Sequence, residues 1–259
     1  MNKRILKKFA GLFLVAFAAV SVLNGQERND VIKSYNEGAK VLQTDVVAAI
    51  AAFENVVSLS EKVGESADDL KAKAVQVLPG LYVRAANNAI KENKSTAEII
   101  KAAKMAAAAA EKYNNAASKD NASKIMVKAY NKIGTELFTD KDYDNALLAF
   151  DSLLAINPDY SNAIYNKALI YRSQNNSAAF EETIDLFLGK LEAGKDDQVI
   201  KQASTLALEY FRAAGSQANQ ADNLDEAIVL LTKAAKYGED TDLFYFFADV
   251  YNKKKMFDS

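Results

Sequence analysis

Between Lys128 and Tyr160 the placement of small and large residues forces two helices to lie close together. Tyr130, Ile133, Gly134 and Leu137 stand three and four residues apart, which gathers them on one face of an α-helix. Asp140-Lys141-Asp142 then supplies polar turn residues, with Asp142 placed to cap a helix starting near Tyr143. Ala146, Phe150 and Leu153 form a second apolar stripe at helical spacing. Pro158 cannot continue that helix and drives Asn157 out of the α region. Gly134 and Ala146 are small where two antiparallel helices must approach, and Tyr130, Leu137 and Phe150 fill the space between them.

This order of residues resembles the tetratricopeptide (TPR) repeat, in which helix pairs recur with a period of about 34 residues. One such pair cannot bury its own apolar faces, so the resemblance implies stacked neighbours. The implied fold is all-α: a right-handed α-solenoid of antiparallel helix pairs, about five and a half of them by the repeats that follow. No segment shows sustained strand alternation.

Residues 28–62 repeat the pattern with Tyr35, Gly38 and Val41, then Ala49, Phe53 and Val56, with Thr44-Asp45 at the turn. Residues 66–117 are less regular and do not fall into repeat register. Pro79-Gly80 predicts a kink or break there, and Ser95-Thr96-Ala97-Glu98 a capping box opening the next helix. Downstream, Ile164, Ala168 and Tyr171 recur one period after the central stretch. Their second helix carries Phe180, Thr183 and Phe187, displaced by about three residues, which predicts a longer turn around Asn175-Asn176-Ser177. The next copy has Leu206, Ala207 and Tyr210, then Leu224, Ala227, Leu231 and Ala234, with a loop from Gly215 to Asp222 and a helix end at Gly238. Phe244, Phe247, Ala248 and Tyr251 then open a last helix, with Phe257 where a second would begin. Because no polar-faced terminal helix follows, the expectation is either a sequence cut inside a repeat or a partner covering that face.

The organisation reads as a signal peptide (1–25), a divergent helical region (26–120) and repeats over 121–259, divided at about 127–160, 161–195, 197–240 and a partial 241–259. The first of these segments has Lys3, Arg4, Lys7 and Lys8 ahead of an apolar run from Phe9 to Leu23, too short to span a bilayer easily. Cleavage is expected near Gly25-Gln26, placing the chain in the periplasm or outside the cell, with no integral membrane segment left. The chain has no Cys, so neither a lipid anchor at that site nor a disulfide is available. Loss of four positive charges takes 32 Lys+Arg to 28 against 34 Asp+Glu, a mildly acidic balance that argues against nucleic acid. The basic run Lys253-Lys254-Lys255 reads as a solvated helix terminus.

The chain also has no His. Without His or Cys there is no Ser-His-Asp or Cys-His centre and no zinc site of ordinary ligands, and no cofactor is expected. Glu181-Glu182 and Asp196-Asp197 are sequence neighbours, which do not face each other on a helix, so neither pair reads as an acid/base dyad. Asp140-Lys141-Asp142 and Asp240-Thr241-Asp242 lack calcium-loop spacing and read as caps and turns. Gly189 to Lys195 has phosphate-loop spacing, but Asp196 stands where Ser or Thr is needed and the preceding segment is helical. The expectation is a protein that is not an enzyme.

In the register set by Gly134, the resemblance puts Lys128, Asn131, Thr135 and Phe138 on a concave, partner-binding surface. The next repeat adds Asn162, Tyr165, Asn166, Leu169 and Arg172, and the later ones Lys201, Ser204, Leu208, Tyr245 and Asp249. Asn166 and Lys201 match a clamp that some TPR proteins close on a carboxyl terminus. Asn131, Thr135 and Thr205 stand where that clamp needs Lys, Asn and a basic residue, so the counter-charge is missing. The implied function is a scaffold of the bacterial cell envelope that binds a protein or peptide. The alternative is a periplasmic protein that binds a glycan or peptidoglycan fragment.

Overall fold

The computed structural model describes the backbone of residues 27–257 and the side chains of residues 27–255. The expected signal peptide lies outside the described residues. Within them the protein is entirely helical, in two compact units that divide between Ala129 and Tyr130.

The first unit holds α1 (residues 27–41), α2 (Val46–Val63), a single 3-10 turn (Glu65–Ala67), α3 (Asp68–Lys91), α4 (Thr96–Lys112) and the start of α5 (Ala116–Thr139). α1 packs on α2 through Gly38, where an added Cβ would stand 3.1 Å from the Phe53 ring. Tyr35 meets the same ring edge-on, with centroids 5.5 Å apart. α2 packs on α3 and α3 on α4, around a core containing Val56, Leu78 and Leu81. Of the kink or break expected at Pro79, the break does not occur, and α3 continues through the proline. Proline removes one backbone bond, but Leu78, Pro79 and Leu81 are all buried, and that packing holds the helix across the gap. Ser95 and Glu98 form the expected reciprocal cap of α4, each side chain accepting from the other's backbone N–H.

The second unit continues with the end of α5, then α6 (Tyr143–Ile156), α7 (Ser161–Ser173), α8 (Ser177–Leu188), α9 (Asp197–Gln220), α10 (Leu224–Tyr237) and α11 (Thr241–Phe257). Asp142 caps α6, which ends two residues before Pro158. A Cβ on Gly134 would stand 2.8 Å from the ring of Phe150, so this pair sits as close as its sequence implied.

Two register readings are overturned. Phe180, Ile184 and Phe187 are buried, while Thr183 turns its hydroxyl back to the carbonyl of Ala179. Ile184 therefore stands sixteen residues after Ala168, the same interval as Gly134 to Phe150, and α8 is not displaced. The turn before it spans 174–176, no longer than 140–142. Likewise, residues 215–220 are helix, not loop, and a Cβ on Gly215 would lie 2.8 Å from Leu231. The close approach is at Gly215, again sixteen residues ahead of its partner, and the extra length of α9 is at its start. Phe257 closes α11 instead of opening a second helix.

Among the described residues five joints are three residues long, and in four of them the middle residue, Asn114, Lys141, Asn175 or Asp222, has a φ of 52°, 61°, 54° or 57°. In each, the residue after the left-handed one donates its N–H five residues back, as Asp142 does to Leu137 and Asn176 to Tyr171. This closes each helix with a Schellman-type bond without glycine.

Candidate functional site

With Gly215 as the contact position, the face-defining residues of α9 are Glu209, Arg212, Ser216 and Asn219, equivalent to Asn162, Tyr165, Leu169 and Arg172 of α7. Arg212 pairs with Asp240 and reaches Asp242 at 3.5 Å. Asn219, 5% exposed, donates to Asp249 at 2.6 Å. These contacts tie the face of α9 to that of α11, and Asp249 keeps its exposure while it accepts from Asn219. Lys253 adds its ammonium to the backbone carbonyl of Asn219, and Lys254 pairs with Asp225, so two of the three residues of the basic run expected to be solvated fasten α11 to its neighbours, while Lys255 is exposed.

The early part of α9 does something different. Lys201, Ser204, Thr205, Leu208, Glu209 and Arg212 line a cavity of about 410 Å³, closed on its other side by residues 237–240. The structure thus brings Lys201, Ser204 and Leu208 together, although Leu208 is buried and Ser204 half-buried. Glu209, Arg212, Glu239 and Asp240 were not singled out as site residues by sequence, and the register of Gly215 was the signal that could have found the first two. Tyr237 in the wall gives its hydroxyl to Asp185 at 2.9 Å. Burial first, then that carboxylate, pushes the Tyr237 phenol far above the ordinary tyrosine range.

On α7, Asn162 and Arg172 are exposed, and Asn166 and Leu169 are half-buried. Tyr165 is half-buried with its ring 4.9 Å from that of Phe187, so it braces the core as much as it offers a contact. On α5, Thr135 is exposed and bonds its own helix at Asn131, whose amide oxygen is buried with no partner among the described residues. Phe138 is half-buried against Tyr143, and Tyr245 on α11 is 71% exposed. Lys128 is exposed and belongs to the first unit.

The acidic neighbours do not converge. Glu181 meets Lys233 and Lys236 on α10, while Glu182 stays exposed. The segment with phosphate-loop spacing follows helix α8, and its amides are already used: Glu192 N–H donates to Asp196 and Gly194 N–H to Asp197. Among the described residues no group of acidic side chains is arranged to hold a metal, and no helix is long and apolar enough to cross a membrane.

A small residue beneath a large one recurs at Gly38–Phe53, Gly134–Phe150 and Gly215–Leu231, each across an antiparallel pair. The helix pairs are TPR-like. No family model matches the chain, and no curated protein matches it. Solved structures similar to it include the MamA protein, at 16% identity over 80% of this chain and 91% of that one, with a TM-score of 0.29. A tetratricopeptide repeat protein from Parabacteroides merdae ATCC 43184 aligns over 87% of this chain and 99% of its own, at 14% identity and a TM-score of 0.27. The TPR2AB-domain:pHSP90 complex of yeast Sti1 aligns over 89% and 99%, at 15% identity and a TM-score of 0.29. Superposition this loose bears on neither partner nor activity.

Proposed function

We propose that this chain is a non-catalytic scaffold of the bacterial cell envelope that binds a protein or peptide on the second unit. The observation that carries the reading is the division of labour on that unit's first helices. Their core positions are filled by the small-and-large pairs, while Asn162 and Arg172 on α7 and Lys201 on α9 stay exposed, with no ion pair for either cation among the described residues. Unused polar groups beside half-buried Leu169 give orientation and an apolar contact together, which is what an extended peptide needs. The cavity beside α9 can take one anchoring side chain of that peptide. Its volume would also suit a small ligand, but Tyr237 is the one aromatic among its described lining residues and its hydroxyl is committed to Asp185. No pair of rings is free there to stack on a sugar, so a protein partner fits better than a glycan. Export rests on the basic and apolar pattern of residues 3–23.

The test is chemical crosslinking in cells followed by capture of this chain, compared with the triple variant Asn162→Ala, Arg172→Ala, Lys201→Ala. Those three side chains leave the core untouched. Specific partners that disappear in the triple variant support both scaffold and face. Partners that persist refute the face, and capture of the chain in the cytoplasm refutes the envelope assignment.

A further inference from the structure

The cavity beside α9 is unevenly charged. Arg212 in its lining is held by Asp240 and Asp242. Three other charged side chains of the lining, Lys201, Glu209 and Glu239, are exposed and have no ion pair among the described residues. Lys201 and Glu209 stand eight residues apart on α9. That is about 12 Å of helix, so the two ends of the cavity differ in sign. Gly238 marks the acidic end, since a Cβ there would stand 3.2 Å from Leu208, the residue before Glu209. Ser204 and Thr205 lie between the ends with hydroxyls unused among the described residues, whereas Thr135, Thr183 and Thr232 turn theirs back to their own helices.

The end of α10 supplies a second, separate sign of what fits there. Each helix from α2 to α9 is closed by a backbone N–H from the residues after it, as Gly64 closes α2 on Ser60 and Gly189 closes α8 on Asp185. None of residues 238–240 donates to α10 in this way. The chain instead leaves that helix in extended backbone at Gly238, with φ 163° and ψ 173°. The last carbonyls of α10 are thus left without a backbone donor, and they bring the negative end of the helix dipole to the cavity wall.

Resting on the scaffold reading above, we propose that this end of the cavity receives a basic side chain of the bound protein, an arginine or a lysine. Buried Leu208 and half-buried Tyr237 lie against its aliphatic stem. Its cationic head meets Glu209, Glu239, the two hydroxyls and the open end of α10. Lys201, at the other end, meets a different part of the bound segment. An acidic anchor does not fit beside Gly238, where it would face two carboxylates and a helix carbonyl end while the charge of Arg212 is already matched.

The test titrates N-acetyl-arginine amide into the isotope-labelled chain at low salt, followed by nuclear magnetic resonance. Saturable shifts are expected within residues 204–212 and 237–240. N-acetyl-citrulline amide, which has the same shape without the charge, is expected to bind at least about tenfold more weakly. The double variant Glu209→Gln, Glu239→Gln is expected to weaken the arginine probe by at least about tenfold as well. Both side chains are exposed, and circular dichroism checks that the fold is kept. Lys201→Gln is expected to leave the arginine probe bound as tightly or more tightly. Equal binding of the citrulline probe, no saturable shift in these segments, indifference to the double variant, or tighter binding of N-acetyl-glutamate amide overturns the proposal. If the arginine probe binds here but crosslinking in cells captures no protein, the scaffold reading falls and the site stands. Captured partners that depend on Asn162 and Arg172, with no binding of the probe, leave the scaffold and overturn the site.

Discussion

Replacing Gly134 with alanine isolates the close approach on which the repeat depends. The added methyl would lie 2.8 Å, 2.9 Å and 3.0 Å from three carbons of the Phe150 ring. Phe150 is 0% exposed, so the ring has no empty space to swing into and the two helices must part instead. Overpacking of this kind costs about 1–3 kcal/mol. Alanine returns about 1 kcal/mol through helix propensity, so the net loss is about 1 kcal/mol. Gly80→Ala supplies the opposite case, since nothing lies within 4 Å of its added methyl. It keeps the propensity gain alone, and a stabilisation of about 1 kcal/mol is expected. Urea unfolding followed by circular dichroism reads both, each against the transition of its own unit. Combining Gly134→Ala with Phe150→Leu removes the collision while keeping the propensity gain, so the double variant should be more stable than the two single losses added together by the whole overpacking term, about 1–3 kcal/mol. If Gly134→Ala stabilises as Gly80→Ala does, the two helices do not touch there and the packing rule fails.

Other expectations follow from single contacts. Lys141→Gly relieves a left-handed residue at φ 61° and should raise stability by about 0.5–1 kcal/mol in the same assay. Ser95→Ala removes one half of the capping box of α4 and should cost about 1 kcal/mol, read as a lower urea midpoint for the first unit. Tyr237 holds its proton in the folded state beyond the pH at which an unfolded tyrosine loses it, because burial and then Asp185 raise its pKa. Its contribution is therefore complete below pH ~10 and declines as pH rises above that. Tyr237→Phe should flatten the fall of the urea midpoint between pH ~9 and ~11, and an unchanged slope would refute the assignment. Asp240→Asn breaks the pair with Arg212 and should speed amide hydrogen exchange in the first turns of α11.

The central helix pair was legible because every signature residue in it does one steric job, and Gly134, Phe150 and Pro158 act as expected. Periodicity failed at α9 for a definable reason. Ala203, Ala207, Phe211, Gly215 and Ala218 form one continuous buried stripe with small residues at several turns. The repeat pattern names the buried face of such a helix but not the turn at which its partner crosses. At α8 the error came from side-chain size. The aromatic Phe180 stands where α6 has Ala146, and Ile184 where α6 has Phe150, so matching aromatic to aromatic shifted the register. The cavity beside α9 joins residues of one helix to the segment between two others, an adjacency that no local pattern encodes. Ion pairs such as Arg212 with Asp240 were hidden for the same reason, since surface charge looks alike in sequence whether solvated or matched.

The uniform three-residue turns set the phase of everything after them. Each residue of an α-helix advances the face by about 100°, so deleting one turn residue would bring the next helix in with its apolar stripe aimed away from its mate. After the turn at 174–176, such a slip would turn Phe180, Ile184 and Phe187 toward solvent together. A change of length in these joints would thus disturb the packing of the helix that follows, whereas a change of side chain alone would not shift its phase. The link at 189–196, between α8 and α9, is the place in the second unit with enough slack to absorb an added residue.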